Sequence, residues 1–582
     1  MEKHNDARDI ARRANYVSRQ QDRLLNGELD HLPSANAVWP TALVIVPVSV
    51  ISNWQRELET WGYFEVGAYT GSKETRETVL KDFKLGRLDI VLSSFEQVRD
   101  HISDFEDLPW SCIFLDEAHK IKNMNASITK AYNRFTCSVR FGLTGTAVQN
   151  TYKELWPLLA WSNPGRLGSE NQWKWAIARP LALGQSQSAT EAERKRAIIV
   201  TKALKENLLP LFFLRRTKKL IEDQLPKKFD EVVFCPLTPL QLQVYKRFLD
   251  TEDVQLMLGK DGPCDCGSQK PRGKCCGTHN KDGTHWKELM LKYIGILIKI
   301  SNHLMLLYPC KLPSGDNLEQ RNRSREHLHV AFPDNSEMRK PSSRMRPGMC
   351  GKWSVLEKLL DQWKAKPGEQ NKVLIFSKSV KVTTKMDTNY VNTEYGRDKI
   401  CYLDGKTKSE DRMPIVDKFN QDPSVYCFLI STTAGGTGLN LTAANKVVVF
   451  DPHWNPAHDL QAMDRAYRYG QLRNVSVYRL LGAGSLEELV YARQIYKQQQ
   501  MQIAYEGRAQ TRYFQGVQGD KDRQGELFGL KNIFTLHPSA YATKYHIERA
   551  LVSELEWALM NAPTGSKGDE DVRPFYFSGP VN

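Results

Sequence analysis

The chain has 582 residues, of which 41% are hydrophobic and 25% charged, a composition that permits a sizeable core and excludes wholesale disorder. Its length suggests more than one domain, with roughly four as a first count. No stretch approaches about 20 uninterrupted apolar residues, and the first residues mix acids and bases without an apolar segment. Neither a transmembrane helix nor a secretory signal is therefore predicted.

The charge balance favours an anionic partner, for which nucleic acid is the main candidate. The 81 Lys and Arg residues exceed the 67 Asp and Glu residues and give a formal net charge of +14. Charge alone decides little, because many proteins are equally basic. The 11 cysteines are mostly single and scattered, which indicates reduced thiols of the cytosol or nucleus rather than a disulfide framework.

Short apolar runs alternate with helical patterns along the chain, which predicts an α/β fold with parallel sheets. Parallel strands that are covered on both faces are continuously apolar. Six runs have this property: Ala42–Val46, Ile90–Leu92, Cys112–Leu115, Lys372–Phe376, Cys427–Ile430 and Val447–Phe450. They form two groups, before residue 145 and after residue 370. The stretch 154–308 between the groups is predicted to be mainly helical, with no strand.

Two adjacent carboxylates, Asp116 and Glu117, directly follow the third predicted strand. At the carboxyl end of a strand, one carboxylate can hold Mg²⁺ while the other orients and deprotonates an attacking water. Acids are also favoured at a helix N-terminus by the dipole, so the isolated pair has a structural interpretation as well. Residues 143–147 (LTGTA) form a small hydroxyl-bearing turn that is either a relay beside a nucleotide site or a plain polar loop.

Two later segments carry candidate phosphate-binding groups. Residues 431–441 (STTAGGTGLNL) follow a buried strand, and their glycines and hydroxyls either bind phosphate or form a flexible connection. Residues 461–471 (QAMDRAYRYGQ) place Gln461, Arg465 and Arg468 on one face if they are helical. Two guanidiniums on one face suit a γ-phosphate. The alternative is a solvated basic face with an ordinary Asp464–Arg468 ion pair.

A cysteine-rich insertion occupies residues 259–285. Cys264, Cys266, Cys275 and Cys276, with His279 close behind, are candidate ligands for a structural Zn²⁺. Adjacent cysteines do not match the usual two-residue spacing, so an idle reduced loop is the alternative.

Taken together and in this order, these segments resemble the SWI/SNF-type branch of the DEAH-box helicase-like ATPases of superfamily two. The resemblance covers roughly residues 40–500, and residues 451–456 (DPHWNP) are characteristic of the branch. Residues 512–520 and 525–529 are similar to the excision-repair, Cockayne syndrome group B-like subgroup. The matches are 46–57 to motif Ia, 116–119 to motif II, 143–150 to motif III, 374–377 to motif IV, 431–441 to motif V and 461–471 to motif VI.

The resemblance implies two RecA-like lobes with ATP and Mg²⁺ between them and double-stranded DNA across their shared face. By position, Asp116 would organise Mg²⁺, Glu117 would act as general base, and Arg465 and Arg468 would be arginine fingers from the second lobe. Further groups near the nucleotide would be His119, Gly436, Gly438 and Gln461. Candidate contacts to DNA phosphates are Pro47, Ser49, Ser94, Lys406, Thr432 and Thr433.

One expected motif is missing. The family's Walker A loop, G-x-x-x-x-G-K-[ST], should precede motif Ia, but residues 1–41 contain Gly27 alone and no Gly-Lys-Thr. We expect this polypeptide to bind ATP poorly. A strand of the first sheet is also expected to be missing, which would expose apolar neighbours such as Val44 and Val91. Truncation or a late-placed start accounts for the gap better than a degenerate enzyme, because every later motif is well formed.

The sequence therefore predicts a nuclear DNA translocase or helicase-like motor of chromatin-remodelling or DNA-repair type, impaired here by the missing loop. Chromatin or repair proteins are expected partners, and no membrane is involved. The alternatives are a catalytically inactive DNA-binding scaffold of the same fold and an RNA helicase. The predicted organisation is a first lobe over 1–218, a helical connection with insertions over 219–350, a second lobe over 351–500, and a C-terminal brace and tail over 501–582.

Overall fold

The computed structural model describes residues 7–145, 152–184, 189–309, 318–340, 348–365, 370–382, 397–435, 438–495 and 530–536. Two parallel sheets, each with helices packed against it, account for most of these residues. The predicted α/β fold class with two lobes on parallel sheets is confirmed. No helix among the described residues is long and apolar enough to cross a membrane.

The first lobe is built on a five-stranded parallel sheet with the order β2-β3-β1-β4-β5. All of its pairings are parallel, and β1 lies at the centre between β3 and β4. Its strands are β1 (Ala42–Val46), β2 (Val66–Tyr69), β3 (Ile90–Ser94), β4 (Cys112–Asp116) and β5 (Arg140–Leu143). Its helices are Ala7–Leu25, Ile51–Trp61, Lys73–Lys84, Phe95–Asp100, Ser127–Tyr132, Leu155–Ser162, Glu170–Trp173, Arg179–Gly184, Glu191–Ala203 and Leu209–Phe212, with π-helical turns at Lys174–Ala178 and Leu204–Leu208.

The expectation that Val44 and Val91 are exposed is wrong. Val44 is 3% exposed and Val91 is fully buried, because β1 and β3 are interior strands with helices on their faces. The exposed apolar side chains of this sheet lie instead on β5, where Phe141 is 47% and Leu143 is 42% exposed. Among the described residues β5 pairs only with β4 and β2 only with β3, so these two strands form the edges of the sheet.

The segment between the lobes is mainly helical, as expected, but it also contains a strand. β6 (Lys228–Cys235) pairs in parallel with β11 along its whole length and forms one edge of the second sheet. The prediction that this segment lacks a strand is therefore wrong, because an edge strand need not be continuously apolar. The helices here are Pro239–Leu249, Glu252–Leu258, Trp286–Asn302, Leu318–Ala331 and Ser336–Arg339.

The second lobe is built on a six-stranded sheet with the order β6-β11-β10-β7-β9-β8. Its remaining strands are β7 (Val373–Ser377), β8 (Ile400–Leu403), β9 (Cys427–Ser431), β10 (Lys446–Val449) and β11 (Val475–Gly482). Its helices are Gly351–Lys364, Ser409–Gln421, Thr432–Gly435, Pro456–Met463 and one over residues 486–495.

The domain boundaries at residues 218, 350 and 500 stay predictions, although β6 places part of the second sheet before residue 351. Of the predicted brace and tail, the structure describes only residues 530–536, with a short helix at Leu530–Ile533. Phe534 is 4% exposed and packs into the apolar cluster of the helical segment, beside Val244 and Leu289. The subgroup-like residues 512–520 and 525–529 lie outside the described residues.

Candidate active site

The candidate groups of the first lobe lie at the carboxyl edge of its sheet. Val46 at the end of β1 is in register with Ser94 at the end of β3, and Asp116 at the end of β4 is in register with Leu143. Polar groups that follow these strands therefore collect at one edge, where open α/β sheets bind their ligands. In the second lobe Ser377 and Ser431 are paired in the same way, so Thr432 also follows a carboxyl edge.

Asp116 and Glu117 form a tight elbow at the end of β4. Glu117 has a left-handed backbone with φ of 56°, an uncommon conformation for a residue with a Cβ atom. Its amide donates to Asp116 Oδ1 at 2.9 Å, and Trp54 Nε1 donates to Asp116 Oδ2 at 3.0 Å. Burial raises the pKa of Asp116 above its ordinary value, and the hydrogen bond from Trp54 opposes this shift. The strained elbow and these two hydrogen bonds hold the carboxylate pair at the carboxyl edge of the sheet.

His119 connects the carboxylate pair to the turn after β5. Its Nδ1 lies 3.1 Å from Glu117 Oε2 and 3.3 Å from Thr144 Oγ1. Both partners belong to the first lobe, so these contacts couple motif II to motif III within one lobe. The rest of the motif III turn, residues 146–150, lies outside the described residues.

The loop that resembles motif V meets the first lobe directly. Gly438 has a φ of 53°, and a Cβ atom placed on it would stand 2.0 Å from Val50 Cγ1. Only glycine tolerates both this backbone and this approach. Thr432 is 2% exposed, and its buried hydroxyl has no hydrogen-bond partner among the described residues. Gly436 and the side chain of Thr433 lie outside what the structure describes.

A second contact joins the lobes at the surface. Arg56 on the helix Ile51–Trp61 makes a bidentate ion pair with Asp417 on the helix Ser409–Gln421, at 3.1 and 2.9 Å. Both side chains retain considerable solvent contact, so the pair sets orientation more than it adds stability.

The expectation that Gln461, Arg465 and Arg468 share one helical face is wrong. The helix Pro456–Met463, capped at its start by Asn455, ends at Met463, so only Gln461 lies on it. Short i→i+3 turns follow, and the carbonyl of Arg465 accepts from the amide of Leu441 at 3.1 Å. These contacts to the motif V loop compete with continuation of the helix and terminate it.

The turn nevertheless brings Arg465 close enough to the carboxylate pair of the first lobe, and to Arg468, for their charges to act on it. Arg465 is 8% exposed, and burial lowers its pKa to about 10, while the charges of Glu117 and Asp116 act in the opposite direction. Arg468 Nη1 donates to the carbonyl of Leu439 at 3.2 Å, and its charge also lowers the pKa of Arg465. A guanidinium of the second lobe therefore faces the carboxylate pair of the first.

The alternative ion pair between Asp464 and Arg468 is not what the structure shows. Asp464 pairs with Lys218 at 2.9 Å and with Lys228 at 3.6 Å. Lys218 is the last residue of the predicted first lobe, and Lys228 begins β6. Asp464 thus anchors the arginine-bearing turn to the segment that connects the lobes, which leaves Arg468 for other contacts.

One residue of the site, His458, was missed by the sequence analysis. Burial lowers its pKa, and the nearby charges of His119 and Glu117 act on it with opposite signs. Its ring makes an edge contact with His453, at 4.4 Å between centroids. The signal available in the sequence was its position two residues after the DPHWNP segment, at the start of a helix that leads to Arg465.

The candidate DNA-contacting residues differ widely in accessibility. Lys406 is exposed, and its backbone amide donates to Asp404 Oδ1 at 2.8 Å in the turn after β8. Ser49 is partly exposed, whereas Pro47 is buried. Ser94 is 1% exposed, and its hydroxyl caps the next helix by accepting from the amide of Gln97 at 3.2 Å. The contacts themselves stay predictions.

The donor set of the cleft fits a magnesium–nucleotide complex in part. Asp116 and Glu117 offer carboxylate oxygens, and Glu117 Oε2 is buried with no hydrogen-bond partner among the described residues, although His119 lies close to it. Arg465 supplies positive charge from the opposite side. Before β1 the described chain forms the helix Ala7–Leu25, whose Arg13 pairs with Asp89 at 2.5 Å. Residues 1–41 hold no Gly-Lys-Thr phosphate loop.

Comparisons with known proteins point to one family. A family profile described as SNF2-related domain matches residues 7–269, and one described as helicase conserved C-terminal domain matches residues 351–470. The chain is 40% identical to mouse "DNA excision repair protein ERCC-6-like 2" over 91% of its own length and 34% of that protein. It is 39% identical to "Switch 2" of Arabidopsis thaliana over 84% of its own length and 58% of that protein.

A solved structure titled "Sulfolobus solfataricus SWI2/SNF2 ATPase core in complex with dsDNA" is 27% identical, with a TM-score of 0.30, and the match covers 81% of this chain and 84% of that one. The chain spans about a third of the mouse relative and somewhat more than half of the Arabidopsis relative. With its two matched domains in this order and its excision-repair relatives, the chain belongs to the SWI2/SNF2 family.

Proposed function

We propose that this chain is the ATPase motor of a nuclear DNA translocase of chromatin-remodelling or DNA-repair type, acting on double-stranded DNA. The observation that carries the proposal is the approach of Arg465 in the second lobe to Asp116 and Glu117 in the first. The positive charge of Arg465 and the negative charges of Asp116 and Glu117 lie on different lobes, so ATP hydrolysis depends on how the lobes close.

The proposed roles follow from the positions of the side chains. Asp116 holds Mg²⁺, and Glu117 accepts a proton from the attacking water, with its carboxylate positioned by His119 at 3.1 Å. Bound ATP and Mg²⁺ supply the transferable phosphoryl group and neutralise its charge. Arg465 and Arg468 stabilise negative charge from the opposite side of the cleft, with Gln461 and the glycines of the motif V loop beside them.

The buried position of Arg465 supports this role. A guanidinium removed from water is costly unless anionic groups lie near it. The charges of Glu117, Asp464 and Asp116 offset part of this cost, although burial still lowers the pKa of Arg465 to about 10. Opening of the lobes would separate these charges, and closing would bring them back. A change of charge in the cleft therefore biases the relative position of the lobes, as translocation along a DNA strand requires.

The proposed DNA-binding face is the carboxyl edge shared by the two sheets. The chain has a net charge of +14, and Lys406 and Lys408 are exposed in the turn after β8. The mouse relative is named as a DNA excision repair protein. Pro47, Ser49, Ser94, Thr432 and Thr433 stand as further proposed phosphate contacts at the same edge, and chromatin or repair proteins as proposed partners.

We also propose that the 582-residue polypeptide binds ATP weakly. Residues 1–41 lack the Gly-Lys-Thr loop that would cradle the β- and γ-phosphates and place a hydroxyl on Mg²⁺. Titration with a fluorescent ATP analogue tests this directly. Tight and saturable binding by residues 1–582 would contradict it.

The experiment for the motor measures ATP hydrolysis with duplex DNA, single-stranded DNA and RNA of equal length, for the wild type, E117Q and R465A. We expect a low rate that duplex DNA stimulates most, and a loss of about 10³-fold or more in both variants. DNA binding of both variants, measured by fluorescence anisotropy, should change little, because neither side chain is proposed to contact DNA.

Two other results would favour the alternatives. If the wild type binds duplex DNA but hydrolyses ATP no faster than E117Q, the result favours an inactive scaffold of the same fold. Hydrolysis stimulated by RNA more than by duplex DNA favours an RNA helicase.

A further inference from the structure

A compact cluster of four thiols lies in the insertion 259–285, between the helices Glu252–Leu258 and Trp286–Asn302. The Sγ atoms of Cys264, Cys266, Cys275 and Cys276 all lie within 4.8 Å of one another. The motor function uses none of them.

The sulfur separations match those of a tetrahedral metal site. Cys266 Sγ lies 3.4 Å from Cys264 Sγ and 3.4 Å from Cys275 Sγ, and Cys275 Sγ lies 3.8 Å from Cys276 Sγ. A disulfide requires about 2.05 Å. Four sulfurs at the usual Zn–S distance of about 2.3 Å in tetrahedral geometry are about 3.8 Å apart. The cluster therefore has the spacing of a metal site and not of a disulfide pair.

The local backbone explains how two adjacent cysteines can join one cluster. In an extended strand, neighbouring side chains point to opposite faces. Cys275 instead has φ of −130° and ψ of −121° at the end of a short 3₁₀ turn, and its sulfur and that of Cys276 face the same point. The unusual spacing of these cysteines is thus compatible with four ligands around one centre.

The insertion has no hydrophobic core of its own. Residues 259–285 contain no Ala, Val, Ile, Leu, Met, Phe, Trp or Tyr, and Cys264 is the only non-glycine side chain buried among them. A segment that cannot bury apolar surface needs a covalent or metal cross-link to hold a defined shape.

The backbone of the insertion is nevertheless well organised. Cys264 N donates to the carbonyl of Lys270 at 3.2 Å, and Gly273 N donates to that of Lys260 at 2.7 Å. Trp286 Nε1 donates to the carbonyl of Gly273 at 3.2 Å, which fixes the loop to the start of the following helix. This framework brings the four sulfurs together without a contribution from apolar packing.

The charge of the insertion suits an anionic metal centre. It contains five Lys and Arg residues and three Asp residues, a balance of +2. A Zn²⁺ ion with four thiolate ligands carries a net charge of −2. His279 is not in the four-sulfur group, and its Nδ1 lies 2.9 Å from Thr278 Oγ1.

We propose that Cys264, Cys266, Cys275 and Cys276 bind one Zn²⁺ ion as four thiolates, and that this site fixes the insertion 259–285 onto the helical segment between the lobes. Each thiol gives up its proton on binding, so the ion replaces four protons in the folded protein. The site is structural, since four protein ligands leave no open position for substrate. The proposal is independent of ATP hydrolysis.

The test measures the metal content of the full 582-residue chain, purified under reducing conditions without chelator, by inductively coupled plasma mass spectrometry. The wild type and the control C137S, a free thiol in the first lobe, should each carry about one zinc per chain. The double variant C266S/C276S, which changes the two exposed cysteines of the cluster, should lose at least about nine-tenths of it.

A second measurement separates loss of the site from loss of the fold. Replacement of zinc by Co²⁺ in the wild type should give the intense visible d–d and thiolate charge-transfer bands of a tetrahedral sulfur site. These bands should be absent in C266S/C276S while its far-ultraviolet circular dichroism stays like that of C137S. The proposal is overturned by wild-type protein without zinc, by zinc retained in the double variant, or by intact masses that show disulfides within the cluster.

Discussion

The second lobe contains a buried ion pair whose removal should destabilise it in a pH-dependent way. Lys352 Nζ lies 2.6 Å from Glu487 Oε2, and the two side chains are 1% and 2% exposed. Lys352 also donates to the carbonyl of Phe450 at 2.8 Å, while Glu487 Oε2 accepts from the amide of Gly482 at 2.8 Å. Burial raises the pKa of Glu487, and the ammonium of Lys352 opposes that shift.

The substitution Lys352→Met keeps the length of the side chain and removes its charge. The buried carboxylate of Glu487 then loses its main partner and must take up a proton. From its ordinary pKa of 4.5 to pH 7, protonation costs about 3.4 kcal/mol at about 1.36 kcal/mol per pH unit, which is an upper limit for the deficit because burial already raises the pKa of Glu487 in the wild type. This value lies in the range of about 3–5 kcal/mol that broken buried pairs usually cost. For a domain of this size it lowers the Tm by about 7–14 °C.

The mechanism has a distinctive pH signature. In K352M the folded pKa of Glu487 lies above the unfolded one, so the stability of the variant falls as pH rises through the range between them. The deficit relative to wild type should therefore be small near pH 5 and close to its full value at pH 7. Differential scanning fluorimetry of the second-lobe transition at these two pH values measures it.

Two further variants complete this test. K352M/E487Q removes both charges and should recover much of the loss at pH 7, with no pH dependence of its own. K408A removes an exposed partner of Glu410, where both side chains are 75% exposed, and should change stability by less than about 0.5 kcal/mol. A deficit of K352M that is the same at pH 5 and pH 7, or smaller than that of K408A, would refute this reasoning.

Asp459 is buried beside the backbone amide of His453, and burial raises its pKa to about 7. Because this pKa is higher in the folded than in the unfolded protein, the wild type loses stability as pH rises from about 4 to 7. The variant D459N should therefore gain about 1.4 kcal/mol of stability relative to the wild type per pH unit in that range. Parallel curves of Tm against pH for the two proteins would contradict this assignment. G438A should force the lobes apart, because its Cβ atom would stand 2.0 Å from Val50 Cγ1 at a φ of 53°; small-angle scattering should show a larger radius of gyration. G405A, where a Cβ atom meets nothing within 4 Å, is the matched control, and equal scattering of the two variants would show that the contact at Gly438 does not hold the lobes.

The strands that the sequence predicts correctly are those that are buried on both faces. All six predicted runs are strands in the structure, because interior parallel strands leave a continuous apolar signal. β6 escaped prediction since it lies at the edge of the second sheet, and three of its eight residues, Lys228, Asp230 and Glu231, are charged. β5 escaped for the same reason: its apolar residues are few and partly exposed.

The identities of the site residues follow from motif order, but their geometry does not. The sequence favours a helix through Arg465 and Arg468, but the helix stops at Met463. The reason is visible only in the structure, where the amide of Leu441 donates to the carbonyl of Arg465. Gln471 Nε2 also donates to three carbonyls, those of Thr442, Ala444 and Ala466. These partners are tertiary, and no local pattern reports them. Contacts between the lobes are invisible to the sequence for the same reason.

Backbone strain marks both of the sites discussed above. Among the residues that the structure describes, the non-glycine residues with positive φ are Glu117, at 56°, and Gln269, at 54°. Such conformations cost about 1–3 kcal/mol and persist only where their surroundings fix them. At Glu117 the strain lies in the elbow that carries a carboxylate whose charge acts on Arg465 of the other lobe. At Gln269 it turns the chain between Cys266 and Cys275, within a segment that has no apolar core to repay the cost. A bound ion is a sufficient source of that energy, so the strain at Gln269 favours a filled cysteine site over an idle loop.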